Sequence, residues 1–190
     1  ISDVGEGPDW LPGGELPVVV NDAYETNEDV AIVISAEELL GNDMDPEGGY
    51  LNVISVEAAI NGRVSLNQNG DIIFLPNRHF VGQASFEYTV SNGVYGVSSG
   101  QVSVNIKPVV EIETFEKLIK RETPFVGQVD LKDPDDIESV SLVYDRGNAA
   151  ISLDQDGNFT YSPDGDFTGL DEFTIQTNYK AGGTDQTTFK

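Results

Sequence analysis

An all-β chain of two tandem sandwiches is the fold this sequence predicts, and three observations predict it. Apolar and polar residues alternate at period two, glycine-bearing turns punctuate the alternation, and one long stretch occurs twice. Alternation at period two gives a strand one buried face and one wet face, the signature of antiparallel sheet. The duplication sets the number of units. "VSLNQNGDIIFLPNRHFVGQASFEYTV" (64–90) aligns without a gap on "ISLDQDGNFTYSPDGDFTGLDEFTIQT" (151–177), at an offset of 87 residues. Ser65, Leu66, Gln68, Gly70, Pro76, Phe80, Gly82 and Phe86 recur as Ser152, Leu153, Gln155, Gly157, Pro163, Phe167, Gly169 and Phe173. "DMDPE" (43–47) recurs as "LKDPD" (131–135), one residue out of step. A period this long marks a repeated domain rather than a solenoid turn.

In chain order, residues 1–16 are rich in Gly and Pro and lack periodicity, so they read as a linker or the tail of a preceding unit, with Trp10 packing on the first domain's end. The first sandwich spans 17–108. Its one helical piece is "SAEELLG" (35–41), a single turn capped by Ser35 and ended by Gly41. Val64, Leu66, Ile72 and Phe74 then alternate around "NQNG", as do Phe86, Tyr88 and Val90, and Val102, Val104 and Ile106. The second sandwich spans 109–190 and repeats the pattern in Val140, Leu142 and Tyr144, in Phe159 and Tyr161, and in Phe173 and Ile175. "NQNG" and "DQDG" predict hairpins with Gly70 and Gly157 at positive φ. About seven short strands per unit make a two-sheet sandwich. The join, "VVEIETF" (109–115), predicts a strand running directly into the second sandwich, which is truncated at its last strand.

The chain has 190 residues, 33 acids against 10 bases and a formal net charge of −23. Nucleic acid and anionic membrane would be repelled, so neither is expected as a partner. Without cysteine, disulfides, thiol catalysis and thiolate metal sites are excluded. No apolar run reaches membrane-spanning length, so no direct membrane insertion is expected. The abrupt start and stop read as a fragment of a longer protein. His79 is the single histidine, in "PNRHF", and Asp166 takes its place in the second copy, so its reading is structural. No nucleotide motif or deep cleft is predicted, and the chain reads as non-catalytic.

"GNDMDPEGG" (41–49) sets Asp43, Asp45 and Glu47 at alternate positions with no base beside them. One reading is a solvated turn in an acidic protein; the other is a loop that takes a cation. Calcium wants six to eight oxygen ligands, which carboxylates, carbonyls and Asn side chains supply. Adaptation of the whole surface to salt, with no specific site, is a third reading.

The ordered series "NDAYETNEDVAIVISAEELLGNDMDPEGGYLNVISV" and "NGRVSLNQNGDIIFLPNRHFVGQASFEYTVSNG" resembles the bacterial cadherin-like tandem repeats of large surface adhesins of the repeats-in-toxin type. The resemblance covers nearly all of 17–190. It implies immunoglobulin-like or cadherin-like Greek-key β-sandwiches, calcium at domain ends, and an extracellular, secreted or cell-surface place in adhesion, biofilm or spacing. It also puts 21–29 at the same end as the acidic loop. The implied calcium ligands are Asn21, Asp22, Glu28, Asp43, Asp45 and Glu47, with Asp29 in range, and Asp133 and Asp135 in the second copy. In that copy Arg121 and Lys132 are expected to balance "KDPDD". The family's "NDAP" linker is "KPVV" (107–110) here, so the usual ion at the joint is not expected. Ala84 replaces a frequent family aspartate that the second copy keeps as Asp171. The implied partners are neighbouring repeats and carbohydrate or protein on another cell. A carbohydrate- or peptide-binding module is the alternative, with Tyr24, Tyr50, Tyr95 and Trp10 as available rings.

Overall fold

The computed structural model describes residues 14–93, 96–119 and 123–190; Trp10, Tyr95 and Arg121 lie outside them. The chain forms two compact units, one of residues up to 77 with 83–106, the other of 78–82 with 107–190. Among the described residues no helix is long and apolar enough to cross a membrane.

The first unit has seven strands: β1 (Asp22–Asn27), β2 (Ile32–Ile34), β3 (Asn52–Ile60), β4 (Gly62–Leu66), β5 (Ile72–Pro76), β6 (Gly82–Ser91) and β7 (Val97–Lys107). They form one sheet of order β1-β7-β6-β3 and another of order β2-β5-β4. The alternating apolar residues fill the space between the sheets: Ile72, Phe74, Phe86, Tyr88, Val90, Val102, Val104 and Ile106 are all buried. Phe74 and Phe86 stack across the core with ring centroids 5.6 Å apart. The helical piece, α1 (Ala36–Leu39), is one turn, with the Ser35 hydroxyl accepting from Glu38 N–H at 3.1 Å. It tightens into a 3₁₀ turn over Leu40–Asn42, which delivers the chain to Asp43.

The second unit repeats the plan with β8 (Glu111–Phe115), β9 (Phe125–Gln128), β10 (Ile137–Asp145), β11 (Ala149–Leu153), β12 (Asn158–Pro163), β13 (Phe173–Tyr179) and β14 (Thr184–Phe189). Its sheets run β10-β13-β14-β8 and β11-β12-β9. Phe159 anchors the core, its ring 4.6 Å from that of Phe189, 5.3 Å from Phe173 and 5.9 Å from Phe125. The hairpin turns of the two units share one device. Asn67 Oδ1 accepts from the N–H groups of Asn69 and Asp71, and Asp154 Oδ1 accepts from those of Asp156 and Asn158. Gly70 (φ 87°) and Gly157 (φ 74°) take the left-handed positions, as the turn sequences predict.

Three expectations are corrected. The second unit has its closing strand: β14 pairs with β13 and, in parallel, with β8. Its Thr- and Gln-rich composition hid it, because hydroxyl and amide side chains blur a period-two apolar pattern. The strand predicted over 109–115 forms in the second unit's sheet as β8, but begins at Glu111 rather than Val109, after a proline that has no N–H to give. Along β10 the alternation fails after Leu142, because a bulge between Leu142 and Tyr144 changes the register and turns Tyr144 to the other face.

Candidate metal site

The residues entering the first unit lie along the acidic loop. Val18 and Met44 exchange backbone hydrogen bonds of 2.8 and 2.9 Å. On either side of that bridge, loop carboxylates accept from the incoming backbone: Val20 N–H donates to Asp43 Oδ1 at 2.8 Å, and Glu15 N–H donates to Glu47 Oε1 at 2.7 Å. Asp45, one residue past Met44, accepts from Gly49 N–H at 2.7 Å and from the Asn92 amide at 3.3 Å. Alternation of acids around Met44 leaves that side chain exposed and turns Asp43 and Asp45 inward.

Asp43 then meets Asp22. The Tyr88 ring is buried, and its hydroxyl lies 3.0 Å from Asp22 Oδ2, 3.3 Å from Asp43 Oδ2, 3.5 Å from Asp43 Oδ1 and 3.1 Å from the Val20 carbonyl. Asn42 Nδ2 donates to Asp22 Oδ1 at 2.9 Å. A phenol has one proton, so four acceptor oxygens compete for it. Burial, with the Asp22 charge adding to it, holds the Asp43 carboxyl above its ordinary value despite the Val20 N–H and Tyr88 bonds. Burial and the two carboxylates push the Tyr88 phenol up as well, so it stays a donor. Asp45 behaves oppositely. Desolvation acts to raise it, but the Asn92 amide and the Gly49 N–H outweigh that and hold it below the usual range.

Of the sequence-predicted ligands, the structure brings Asp22 and Asp43 to one point and sets Asp45 and Glu47 beside them on the same loop. Asn21 is committed elsewhere, its Oδ1 accepting from Gln101 N–H at 2.9 Å. Glu28 and Asp29 do not join the group. They lie past the far end of β1, and six strand residues at about 3.3 Å each separate them from Asp22 by roughly 20 Å. In the second unit, Asp133 pairs with Arg78 Nη1 at 3.3 Å, and the Asp135 carbonyl accepts from Lys180 Nζ at 2.7 Å. Lys132 does not balance its own loop. It turns to β8, 2.6 Å from Glu111 and 3.4 Å from Glu113, an attraction that lowers Glu111 and raises Lys132.

Tyr88 is the residue that sequence reasoning placed in the core and missed at the site. The signal was its hydroxyl: a tyrosine between Phe86 and Val90 on the buried face must find a partner. The repeat carries the matching contrast, because Ile175 replaces Tyr88 in the second unit. A second exchange works the same way. Tyr161 donates to Asp171 Oδ2 at 2.8 Å, with Asn148 donating to Oδ1 at 3.0 Å, whereas the first unit has Phe74 and Ala84 at the positions of Tyr161 and Asp171. His79 belongs to the second unit, where its buried ring stacks on Tyr179 with centroids 3.7 Å apart.

The donors around Tyr88 are all oxygen, the hard set that suits calcium and not zinc. The surplus of acceptors over protons at that hydroxyl fits a cation; Asp22, Asp43 and the Val20 carbonyl would hold it.

Residues 14–107 match the cadherin-like domain family, and residues 105–190 match the bacterial Ig domain family. Domains of both families are typically extracellular and non-catalytic. No curated protein matches the chain. Among solved structures, an endo-fucoidan hydrolase of glycoside hydrolase family 107 is 15% identical with a TM-score of 0.39, over 94% of this chain and 29% of that one. The Bacteroides ovatus mixed-linkage glucan utilization locus protein SGBP-B, in complex with a mixed-linkage heptasaccharide, is 11% identical with a TM-score of 0.32, over 88% of this chain and 42% of that one. Mouse clustered protocadherin EC1–3 is 14% identical with a TM-score of 0.25, over 90% and 65%. These likenesses are too slight to bear on function, and the chain spans under a third of the hydrolase.

Proposed function

We propose, from a chain in which a cadherin-like domain precedes a bacterial Ig domain, that it is a non-catalytic calcium-binding module of an extracellular bacterial adhesin. It works in cell adhesion or as a spacer between neighbouring repeats of a longer protein. Adhesins of the repeats-in-toxin type are the class it resembles in sequence. The observation that carries the calcium reading is the crowding of four acceptor oxygens on the one proton of Tyr88.

Calcium bound there would neutralise Asp22 and Asp43 and tie β1 to the acidic loop. That loop already holds the incoming backbone through Val18, Val20 and Glu15. A cation would thus stiffen the leading end of the first unit. The expected affinity is of the extracellular kind, roughly 10⁻⁴–10⁻³ M. Calorimetric titration of the chain with calcium, against magnesium and sodium chloride at equal ionic strength, tests this. Heat with calcium that Asp22→Asn abolishes supports the reading; absence of calcium-specific heat refutes it.

A further inference from the structure

The outward parity of the sheet β10-β13-β14-β8 carries an ordered array of mostly polar, uncharged side chains, of which Thr174 and Thr188 are buried and Ile112 is the aliphatic member. The pairing registers define three rows across it. One row holds Ser139, Asn178 and Thr184; the next Ser141, Gln176, Gln186 and Ile112; the third Tyr144, Thr174, Thr188 and Thr114. The opposite parity, Phe173, Ile175 and Phe189 among them, fills the core. Among the described residues none of the positions in these rows is charged, in a chain with 33 acids and 10 bases. The corresponding sheet of the first unit differs, since it sets Glu57 directly opposite Glu87.

The array is also cross-linked. Gln186 Nε2 donates to Gln176 Oε1 at 3.0 Å, Gln176 Nε2 to Asn178 Oδ1 at 2.9 Å, and Asn178 Nδ2 to Ser139 Oγ at 2.9 Å. Thr184 donates to Asn178 Oδ1 at 3.2 Å, and the Thr174 and Thr188 hydroxyls lie 2.9 Å apart. Each amide is therefore held in one orientation with a second lone pair or N–H left over. Side chains already ordered in the unbound protein lose little entropy when a ligand arrives.

The geometry points to this face as a binding site for a neutral glycan. Its chemistry matches a polyhydroxylated, uncharged chain: fixed amides and hydroxyls to exchange hydrogen bonds, and the half-exposed Tyr144 ring at one margin as an apolar surface for a sugar ring. Charge argues the same way. A net charge of −23 repels anionic polymers, and the rows themselves carry no ion, Arg146 being held at the margin by the Tyr144 hydroxyl, so a neutral ligand docks on the middle row without stripping water from a charged group. A protein partner fits less well, because interface energy concentrates in buried aromatic, aliphatic or Arg anchors, and the middle of this face has none. The middle row spans about 14 Å across four strands, wide enough for a short run of sugar units.

Electrophoresis of the full chain through gels containing barley β-glucan, xylan, mannan or dextran, run in EDTA, tests the site independently of calcium. Retardation is expected in at least one neutral polymer. It should fall at least tenfold in apparent affinity in Gln176→Glu, which keeps the shape and adds a charge, and in Tyr144→Ala. Circular dichroism melting of both variants should match the parent. Unchanged mobility in all four polymers overturns the proposal. So does retardation that survives both variants, or a concentration-dependent dimer in sedimentation that Gln176→Glu disrupts, which would make the face a contact between copies.

Discussion

Asp22 and Asp43 share one proton. Asp22 Oδ2 lies 3.0 Å and Asp43 Oδ2 3.3 Å from the Tyr88 hydroxyl, whose ring is fixed in the core of the first unit. One carboxylate opens β1 and the other follows the 3₁₀ turn at Asn42, so local chain chemistry sets neither distance. The tyrosine does, and the balance of donors and acceptors at its oxygen governs the behaviour expected of the unit.

Tyr88→Phe removes that proton and leaves two carboxylates and a carbonyl facing an apolar edge. In EDTA the first unit should lose about 1–3 kcal/mol, the cost of leaving partly buried acceptors unpaired. Millimolar calcium should recover part of the loss. Urea unfolding with and without calcium measures both, and equal losses in the two media would separate Tyr88 from any cation.

The two units should answer calcium unequally. Asp22→Asn with Asp43→Asn is expected to remove the calcium dependence of melting, whereas Asp133→Asn with Asp135→Asn should leave it in place, because Ile175 stands where Tyr88 would be and Asp133 already has Arg78. Asp45→Asn should lower stability through its lost Gly49 and Asn92 bonds without abolishing the response. A larger calcium effect from the Asp133 and Asp135 pair would reverse this ranking.

Acidification should act in two opposed stages. Asp43 is raised above 3.8 in the folded unit, so the folded state takes up its proton first, and stability rises as pH falls through that raised value. Asp45, Asp154 and Glu111 are lowered by their hydrogen bonds and, for Glu111, by Lys132. Their stabilisation is present above the ordinary carboxylate values of 3.8 and 4.5 and is lost as pH falls through the lowered ones. Chemical unfolding in a pH series should therefore show the first unit gaining stability in mild acid before it declines, and Asp43→Asn should erase the gain. The proton also competes with the cation, so calcium affinity should weaken over the same range.

Gly100 is expected to tolerate no side chain. A Cβ there would lie 2.7 Å from Tyr88 Cε1 and Cζ and 2.5 Å from Val19 Cγ1. Gly100→Ala should displace the ring, at about 1–3 kcal/mol for overpacking, and should weaken the calcium response together with stability. Thermal melting in calcium and in EDTA reads both; an unperturbed response would mean that the hydroxyl's position does not matter.

The sequence was most readable where pattern and packing coincide. Phe86, Tyr88 and Val90 lie inward as their alternation predicts, and Gly70 and Gly157 turn as their hairpins require. It was least readable where side chains bond across the fold. Nothing near Asp43 in sequence announces Val20 N–H or Tyr88, and the resemblance sets Glu28 beside Asp22, whereas the six-residue strand β1 carries it to the other end. β14 was hidden because Thr184 and Gln186 face outward and are polar, while Thr187 and Thr188 are both buried where apolar residues would have shown the pattern. The bulge in β10 is a register event that no single residue of "SLVYD" encodes.

The most direct test of the central claim is the melting temperature of the first unit as calcium is raised at constant ionic strength, in the parent chain and in Asp22→Asn. A cation held by Asp22 and Asp43 would stabilise the unit by about 2.7 kcal/mol at 100 times its dissociation constant. The predicted result is a rise with calcium in the parent and none in the variant. An equal rise with sodium chloride alone, or the same calcium rise in both proteins, would contradict the account and leave the acidic loop as a clamp on the incoming backbone only.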